Sequence, residues 1–489
     1  MSKENIDKTI RVNNPITNEL IGEVAISSSD EINIKLDIAN QVAQEYNLST
    51  LFQRQKLLRI FRLGVLKNME QFIRTICSET GKKYDEGLIE VFISLEHLKN
   101  TTDNLFETLK KQNRRVGVFK TKKAWTEYEP LGVAAIISPW NYPLILTISP
   151  LVEALLAGNA VILKPSEKTP LTAALLKNIW DQSTGKPKLF QLVNGDAQAG
   201  EQLVSSHKTN VVCFTGSTMV GKKIAETCAS IFKPVILELG GKDPMLILSD
   251  ANLDRAVEAA LWGGFSNAGQ TCISVEHIFV EEICYLSFID KLSILIKKMS
   301  SGPEDEEIGS ISVKSNFDKV NAQINEVRSQ ASIIEGKSKG GWFIPPTIVI
   351  NPKEDTKLLR QETFGPVMTI HPFRSDTEVV KKINFSGYGL SASIFGKDKK
   401  RMHYIAKKIK TGTICFNDVL TNYGISDLPF GGIGLSGIGK VHGQEGVRSF
   451  SLQKSYLRNR IQFQSEFWWY KNRGKYSDLI KRFIKWYYS

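Results

Sequence analysis

Between Val133 and Val280 the chain repeatedly sets down a short, purely apolar run, a turn and then a helical pattern, and no other feature limits the fold as tightly. Val133-Ala134-Ala135-Ile136-Ile137 stops at Ser138-Pro139, and Ala160-Val161-Ile162-Leu163 stops at Lys164-Pro165-Ser166-Glu167. Leu189–Val193 and Val211-Val212-Cys213-Phe214 follow, with helical stretches between them. Runs apolar on both faces belong in a sheet covered on both sides, and strand-helix-strand order makes that sheet parallel and doubly wound. Ser149-Pro150 is expected to open the helix that runs through Ala157. A second α/β unit begins after Glu238-Leu239-Gly240-Gly241, with a helix over Asp254–Trp262, a strand over His277–Val280 and a helix over Ser287–Met299. In such sheets ligands collect at the carboxyl ends of the strands, where Lys164, Glu167, Gly216 and Ser217 fall.

A chain of 489 residues exceeds one hydrophobic core, so two or three domains are expected. Before Val133, residues Arg11 to Val24 read as two short strands about Asn14-Pro15-Ile16-Thr17-Asn18. Ser28 with Glu31 has the spacing of a capping box, and Ile34, Ile38 and Val42 then recur at helical intervals. Helical patterning continues from about Leu51 to Leu109 with a break near Ser78–Lys83, and Arg114 to Tyr128 is an extended basic and aromatic stretch that fits a projecting hairpin. Six cysteines without paired short spacing set aside a disulfide framework or a zinc ribbon and suit a reducing compartment. None of the six histidines pairs with a neighbouring cysteine or histidine as metal ligands would, so no metal is expected. The charged start Met-Ser-Lys-Glu-Asn-Ile-Asp-Lys reads as no signal peptide, and no apolar run is long enough to span a bilayer. A cytoplasmic location follows from these readings.

The chemistry centres on Asn267-Ala268-Gly269-Gln270-Thr271-Cys272. A thiol used for catalysis needs a base and an oxyanion stabiliser brought to it from elsewhere in the fold. Asn141, in Pro139-Trp140-Asn141-Tyr142-Pro143, can donate an amide N–H to a developing alkoxide, and such a donor is worth about 3 kcal/mol. Taken alone it reads better as a turn residue between prolines. Glu238 lies between Leu237 and Leu239, where a carboxylate is costly to bury without a purpose, and burial would raise its pKa toward that of a general base. Phe214-Thr215-Gly216-Ser217-Thr218 is not a Gly-x-Gly-x-x-Gly fingerprint, yet it sets a glycine turn before a helix N-terminus, which favours a phosphate.

Together and in this order, from about Arg11 to about Tyr456, these motifs resemble the aldehyde dehydrogenase superfamily. The resemblance implies two doubly wound α/β domains with a small β oligomerisation element. Residues 1–113 and 130–238 would form the cofactor-binding domain and 239–452 the catalytic domain, while 114–129 and 453–465 would be strands crossing between subunits of a homodimer or homotetramer. It further implies that Cys272, in Gly269-Gln270-Thr271-Cys272, attacks the aldehyde to give a thiohemiacetal that is oxidised to a thioester. Asn141 and the Cys272 N–H would hold the oxyanion, and Glu238 would be the base for hydrolysis. For the cofactor, Gly216 and Ser217 would meet the pyrophosphate, Lys164 and Glu167 the adenosine ribose with Trp140 packed nearby, Glu362 the nicotinamide ribose, and Leu239 and Phe364 the same site. A carboxylate at Glu167 repels a 2′-phosphate, which tilts the cofactor to NAD, while Lys164 and Lys168 beside it keep NADP open. One departure is His277, where many relatives with a Gly-Gln-x-Cys-x-Ser-Val-Glu-Arg run carry arginine; it reads as a packing residue.

For the substrate, Asn417-Asp418-Val419-Leu420-Thr421-Asn422-Tyr423 offers apolar and aromatic surface at the expected entrance, favouring a medium- or long-chain aldehyde. A succinate-semialdehyde-type enzyme would need a basic anchor that no motif identifies. Glu238 argues against a relative that passes the thioester to coenzyme A, and Cys272, Asn141 and Glu238 together argue against a catalytically silent one. The net charge of +12 carries no nucleic-acid recognition motif, and its basic residues are spread except at the C-terminal end. There, in residues 466–489, Tyr476, Leu479, Ile480, Phe483, Ile484 and Tyr487 share one helical face. Lys475, Asp478, Lys481, Arg482 and Lys485 take the other, and Phe467-Trp468-Trp469-Tyr470-Lys471 precedes them. Such a basic amphipathic tail suits either packing on protein or peripheral attachment to the anionic inner face of the membrane.

Overall fold

The computed structural model describes residues 9–353 and 355–489. These fall into two units, one running to Thr108 and resuming over Glu129–Leu452, the other formed by Leu109–Tyr128 and Gln453–Ser489.

The larger unit is α/β and holds two parallel, Rossmann-like sheets. The first has six strands in the order Gly437–Ile438, Val235–Glu238, Val211–Thr215, Val133–Ile137, Ala160–Lys164 and Phe190–Leu192. All neighbours are parallel except the two-residue edge strand, which runs against Val235–Glu238. The chain steps outward from Val133–Ile137 on one side, then returns to its other side through Val211–Thr215. Every residue of Val133–Ile137 and Ala160–Lys164 is buried, as runs without a polar face require. The second sheet has seven strands in the order Ser332–Glu335, Thr347–Ile350, Val367–Phe373, Val275–Glu281, Asp243–Ile247, Ser391–Phe395 and Thr413–Phe416, antiparallel only at the first pair.

Two local expectations are corrected. The helix expected to open at Ser149-Pro150 begins a turn earlier, at Ile145, and carries Pro150 inside it. Proline cannot donate to the carbonyl four residues back, but all of Ile145–Ala157 is buried, and packing outweighs one missing bond. The start is set instead by Glu90, whose carboxylate accepts the N–H groups of Leu144 at 2.8 Å and Ile145 at 3.3 Å. In the helix Ser29–Asn47, Ser28 caps the N–H of Glu31 as its spacing predicts. The stripe turned inward, however, is Ile32, Leu36, Ala39 and Ala43, and Ile34 is 59% exposed. Both stripes satisfy helical spacing; the alanines let this helix lie close against the strand Ala160–Lys164.

In the smaller unit Gln112–Arg114 pairs antiparallel with Lys122–Pro130, and Ser451–Asn459 extends the sheet. Trp125 stacks on Tyr456 with ring centres 5.3 Å apart, and Lys122 forms a buried ion pair with Glu466. Trp468 meets the ring of Phe119 edge-on at 5.5 Å, so part of the aromatic cluster is engaged within this unit. The tail does form a helix, Ser477–Tyr488, and none of its residues is buried. Among the described residues no helix is long and apolar enough to cross a membrane.

Candidate active site

The approach to Cys272 is a backbone distortion. Asn267 and Ala268 both have φ of 53° and Gly269 follows at 71°, three successive left-handed residues after the helix Leu253–Phe265. For the two that are not glycine this costs about 1–3 kcal/mol each, and surrounding bonds must hold it. Gln270 does much of that work: its amide donates to the carbonyl of Asn267 at 2.9 Å and of Ser310 at 3.3 Å, and its carbonyl accepts the N–H of Ser312 at 2.9 Å. Gly269 has no alternative side chain, since a Cβ there would sit 2.1 Å from the carbonyl oxygen of Gly365.

Cys272 ends this segment where two cavities meet. The first, about 180 Å³, is lined by Trp140, Asn141, Gly216, Ser217, Glu238 and Leu239 together with Glu362, Phe364 and Lys319. Lys164 and Glu167 stand apart from it: Lys164 closes its strand 3.6 Å from Glu167, and Glu167 borders a different cavity with Lys168 and Asp196. The second cavity touching the thiol, about 110 Å³, is walled by Ile89, Ile93, Ile145, Leu146, Trp262 and Leu420, with Tyr142 and Tyr423 beside them. Glu86 and Glu90 also border it, and among the described residues no lysine or arginine does. Of the segment expected to line an entrance, Leu420 and Tyr423 reach this cavity.

Asn141 is oriented by its neighbours. Its side-chain amide donates one bond to the carbonyl of Gln270 at 2.9 Å, which leaves the second N–H of the same group. Its backbone carbonyl accepts from Lys82 at 2.9 Å and Asn267 at 3.0 Å. Lys82 is itself fully buried in a 2.7 Å pair with Glu90, the residue that starts the helix Ile145–Ala157.

Glu238 closes the strand Val235–Glu238, is 3% exposed, and apart from the neighbouring Cys272 thiol neither carboxylate oxygen has a hydrogen-bond partner among the described residues. Burial pushes its pKa up to about 8; the neighbouring Cys272 thiol opposes the rise and Glu362 adds to it. Burial likewise raises the Cys272 thiol well above its ordinary value, with Glu238 the next cause. Glu362 is raised to about 7, again chiefly by burial and then by Glu276. It accepts the N–H of Gly241 at 3.2 Å, and a Cβ on Gly240 would lie 2.5 Å from its carboxylate. The loop carrying Glu362 is fixed by Glu276, which accepts the N–H groups of Thr363 at 2.9 Å and Phe364 at 3.1 Å and is ion-paired with buried Lys242. Phe364, at φ 58°, meets Trp140 edge-on with ring centres 5.6 Å apart.

The wall opposite suits a dinucleotide. Ser217 caps the helix Thr218–Ser230 just after the strand Val211–Thr215, and Thr215, Gly216 and Ser217 all line the first cavity, so a helix N-terminus stands at its edge. Gly216 has no room for a Cβ, which would meet the Phe214 ring at 2.5 Å. His277 faces away from the thiol. It borders a separate cavity and bonds Thr369, its register partner on the neighbouring strand, at 2.6 Å, with burial holding it neutral.

Sequence reading missed Lys82, Lys242 and Glu276, which line neither cavity and position residues that do, and Glu90, which both positions a helix and borders the second cavity. The available signal is weak: a charge such as Glu276 inside an otherwise buried strand.

Residues 1–456 match the model of the aldehyde dehydrogenase family. Among curated proteins the chain is 34% identical to a 4,4'-diapolycopene aldehyde oxidase of Methylomonas sp over 488 residues, covering 98% of this chain and 92% of that one. Among solved structures it resembles an NAD-dependent aldehyde dehydrogenase from Sinorhizobium meliloti, at TM-score 0.89 and 28% identity, with 94% and 93% of the two chains covered. It also resembles an E. coli NADP dependent enzyme, at TM-score 0.88 and 28% identity, covering 92% and 95%.

Proposed function

The chain belongs to the aldehyde dehydrogenase family and is an NAD(P)-dependent enzyme oxidising aldehydes, and from that premise we propose a hydrolytic route through Cys272 acting on an apolar aldehyde. The observation that carries this reading is the thiol at the junction of two cavities, beside a buried carboxylate that nothing else occupies. Cys272 loses its proton to solvent and its sulfur bonds the carbonyl carbon, whose C=O π pair passes to the oxygen. The oxygen that becomes an alkoxide is met by the second N–H of Asn141 and by the Cys272 backbone N–H. When bound, NAD(P)+ supplies the hydride acceptor that turns this adduct into a thioester. Gly216 and Ser217 would hold its pyrophosphate, Lys164 and Glu167 its adenosine ribose, and Leu239, Glu362 and Phe364 its nicotinamide half, with Trp140, expected beside the adenosine ribose, packed instead on Phe364. Glu238, once ionised, takes a proton from the water that attacks the thioester, and acid leaves as the thiol is restored. On this reading the six-stranded sheet belongs to the cofactor-binding domain and the seven-stranded sheet to the catalytic one.

The substrate class rests on the second cavity. An aldehyde with an anionic tail would find no lysine or arginine on this wall, the charge of Lys82 being already matched by Glu90, whereas a hydrocarbon chain would lie along Ile89, Ile93 and Trp262. The name of the Methylomonas relative, an oxidase of 4,4'-diapolycopene aldehyde, points the same way. Hexanal and a long-chain aldehyde should exceed succinate semialdehyde in kcat/KM by at least about tenfold. The product should be free acid whether or not coenzyme A is present. Parity for succinate semialdehyde, or formation of acyl-coenzyme A, would overturn the assignment.

We also read the smaller unit as the element that joins subunits into a homodimer or homotetramer, and the terminal helix as a peripheral membrane contact. Lys475, Lys481, Arg482 and Lys485 stand against an apolar face of Leu479, Phe483 and Ile484, all without a buried contact. Each such cation contributes about 1 kcal/mol at an anionic surface. A form ending at Lys475 keeps Glu466 for Lys122 and should retain a mass in light scattering above that of one 54.8 kDa chain. The same form should lose the salt-sensitive cosedimentation with anionic liposomes shown by the full chain. Equal liposome binding by both forms removes the membrane reading, and a monomeric mass removes the oligomer.

A further inference from the structure

We propose that His97, Glu153 and His442 form a buried binding site for one divalent transition-metal ion of the zinc type, behind the wall of the aldehyde cavity. The three come from distant parts of the chain: the helix Tyr84–Asp103, the helix Ile145–Ala157, and the residue before the helix Gly443–Ser449. None is more than 1% exposed, and one ligand atom from each lies within 4.8 Å of the others. His97 Nε2 is 3.5 Å from Glu153 Oε1, and the two imidazole rings are 4.6 Å apart at their centres. Donors bound to a tetrahedral ion at about 2.0–2.1 Å are roughly 3.4 Å apart, so the widest pair here must close by up to about 1.4 Å to hold one.

What marks the cluster as a site is its unmet bonding. Among the described residues Glu153 Oε2 and both ring nitrogens of His442 are buried without a hydrogen-bond partner, while His97 Nε2, which faces Glu153, has the Thr101 hydroxyl at 3.3 Å and would exchange that contact for an ion. Each such atom costs about 1–3 kcal/mol if left empty-handed. Two other contacts orient the carboxylate: Glu153 Oε1 accepts the His442 backbone N–H at 2.7 Å and the Ser149 hydroxyl at 3.4 Å. His442 is held at φ 63°, an uncommon conformation for a residue with a side chain, which turns its ring toward His97. Two neutral imidazoles and a carboxylate are a donor set for zinc and its neighbours rather than for magnesium or calcium. Tyr423 packs on His442 with ring centres 4.6 Å apart and also lines the aldehyde cavity. An ion here would tie three remote segments together one ring away from the substrate, as a clamp rather than as a catalyst.

The test uses the full-length protein, treated with chelator, reloaded with zinc(II), desalted and assayed for metal by mass spectrometry. Wild type should retain about one equivalent, and His97→Gln, Glu153→Gln and His442→Gln should each fall below about a tenth of that. Zinc should raise the Tm of the wild type and leave those variants unmoved. Cobalt(II) loading of wild type alone should give the visible bands of a tetrahedral nitrogen and oxygen site, which decides the matter even where a variant fails to fold. Metal retained equally by wild type and folded variants would overturn the proposal. So would no retention by wild type, the result expected of a site holding only water, or a thiolate charge-transfer band placing cobalt on a cysteine.

Discussion

Cys272→Ala should lower aldehyde oxidation by at least about 10³-fold while leaving the fold and cofactor binding intact. The substitution removes one sulfur from a segment already fixed by Gln270 and by the close approach of Gly269 to Gly365, so no supporting bond is lost. NAD(P)H absorbance measures the rate, and calorimetric titration with the oxidised cofactor checks that the first cavity still binds. A variant keeping more than a few per cent of the wild-type rate would remove Cys272 from the mechanism. A variant that lost cofactor binding as well would shift its role to the architecture of the cavity.

Glu238→Gln should slow steady-state turnover by about 10²–10⁴-fold and abolish an alkaline limb in the pH profile. Burial holds the carboxyl near a pKa of about 8, so at lower pH it is mostly protonated and cannot accept a proton from water. The active fraction therefore grows as pH rises through about 8, and wild-type kcat should climb over that interval before levelling. Glutamine has the same shape and cannot ionise. Its pH profile should be flat there, while rapid mixing should still show a burst of NAD(P)H approaching one per active site, because thioester formation precedes the step that needs the base. An unchanged pH limb in Glu238→Gln would assign that titration to another group, with Glu362, raised to about 7, the nearest alternative.

Both experiments address residues found by reading short motifs, and it is informative which parts of the molecule such reading reaches. Apolar runs such as Val133–Ile137 and Ala160–Lys164 announce buried parallel strands, because a strand with no polar face has nowhere to go but between two layers. The Ser28 cap and the Gly216-Ser217 turn before a helix are equally local, since the bonds involved join residues a few positions apart. By itself, then, the sequence determined the α/β class, the order of strands and helices, the family and the short segments to inspect. It could not determine which of two equivalent stripes of the helix Ser29–Asn47 turns inward, because that depends on how close the strand Ala160–Lys164 can come. Nor could it reveal that Glu90 starts a helix more than fifty residues later, or that Glu276 fixes the loop of Glu362. His97, Glu153 and His442 show the limit most clearly. Their spacing in the chain resembles no ligand pattern, and only the packing of two helices and a loop brings them together. The same holds for the pKa of Glu238: a glutamate in a motif is a candidate, but burial is what raises it, and burial belongs to the tertiary structure alone.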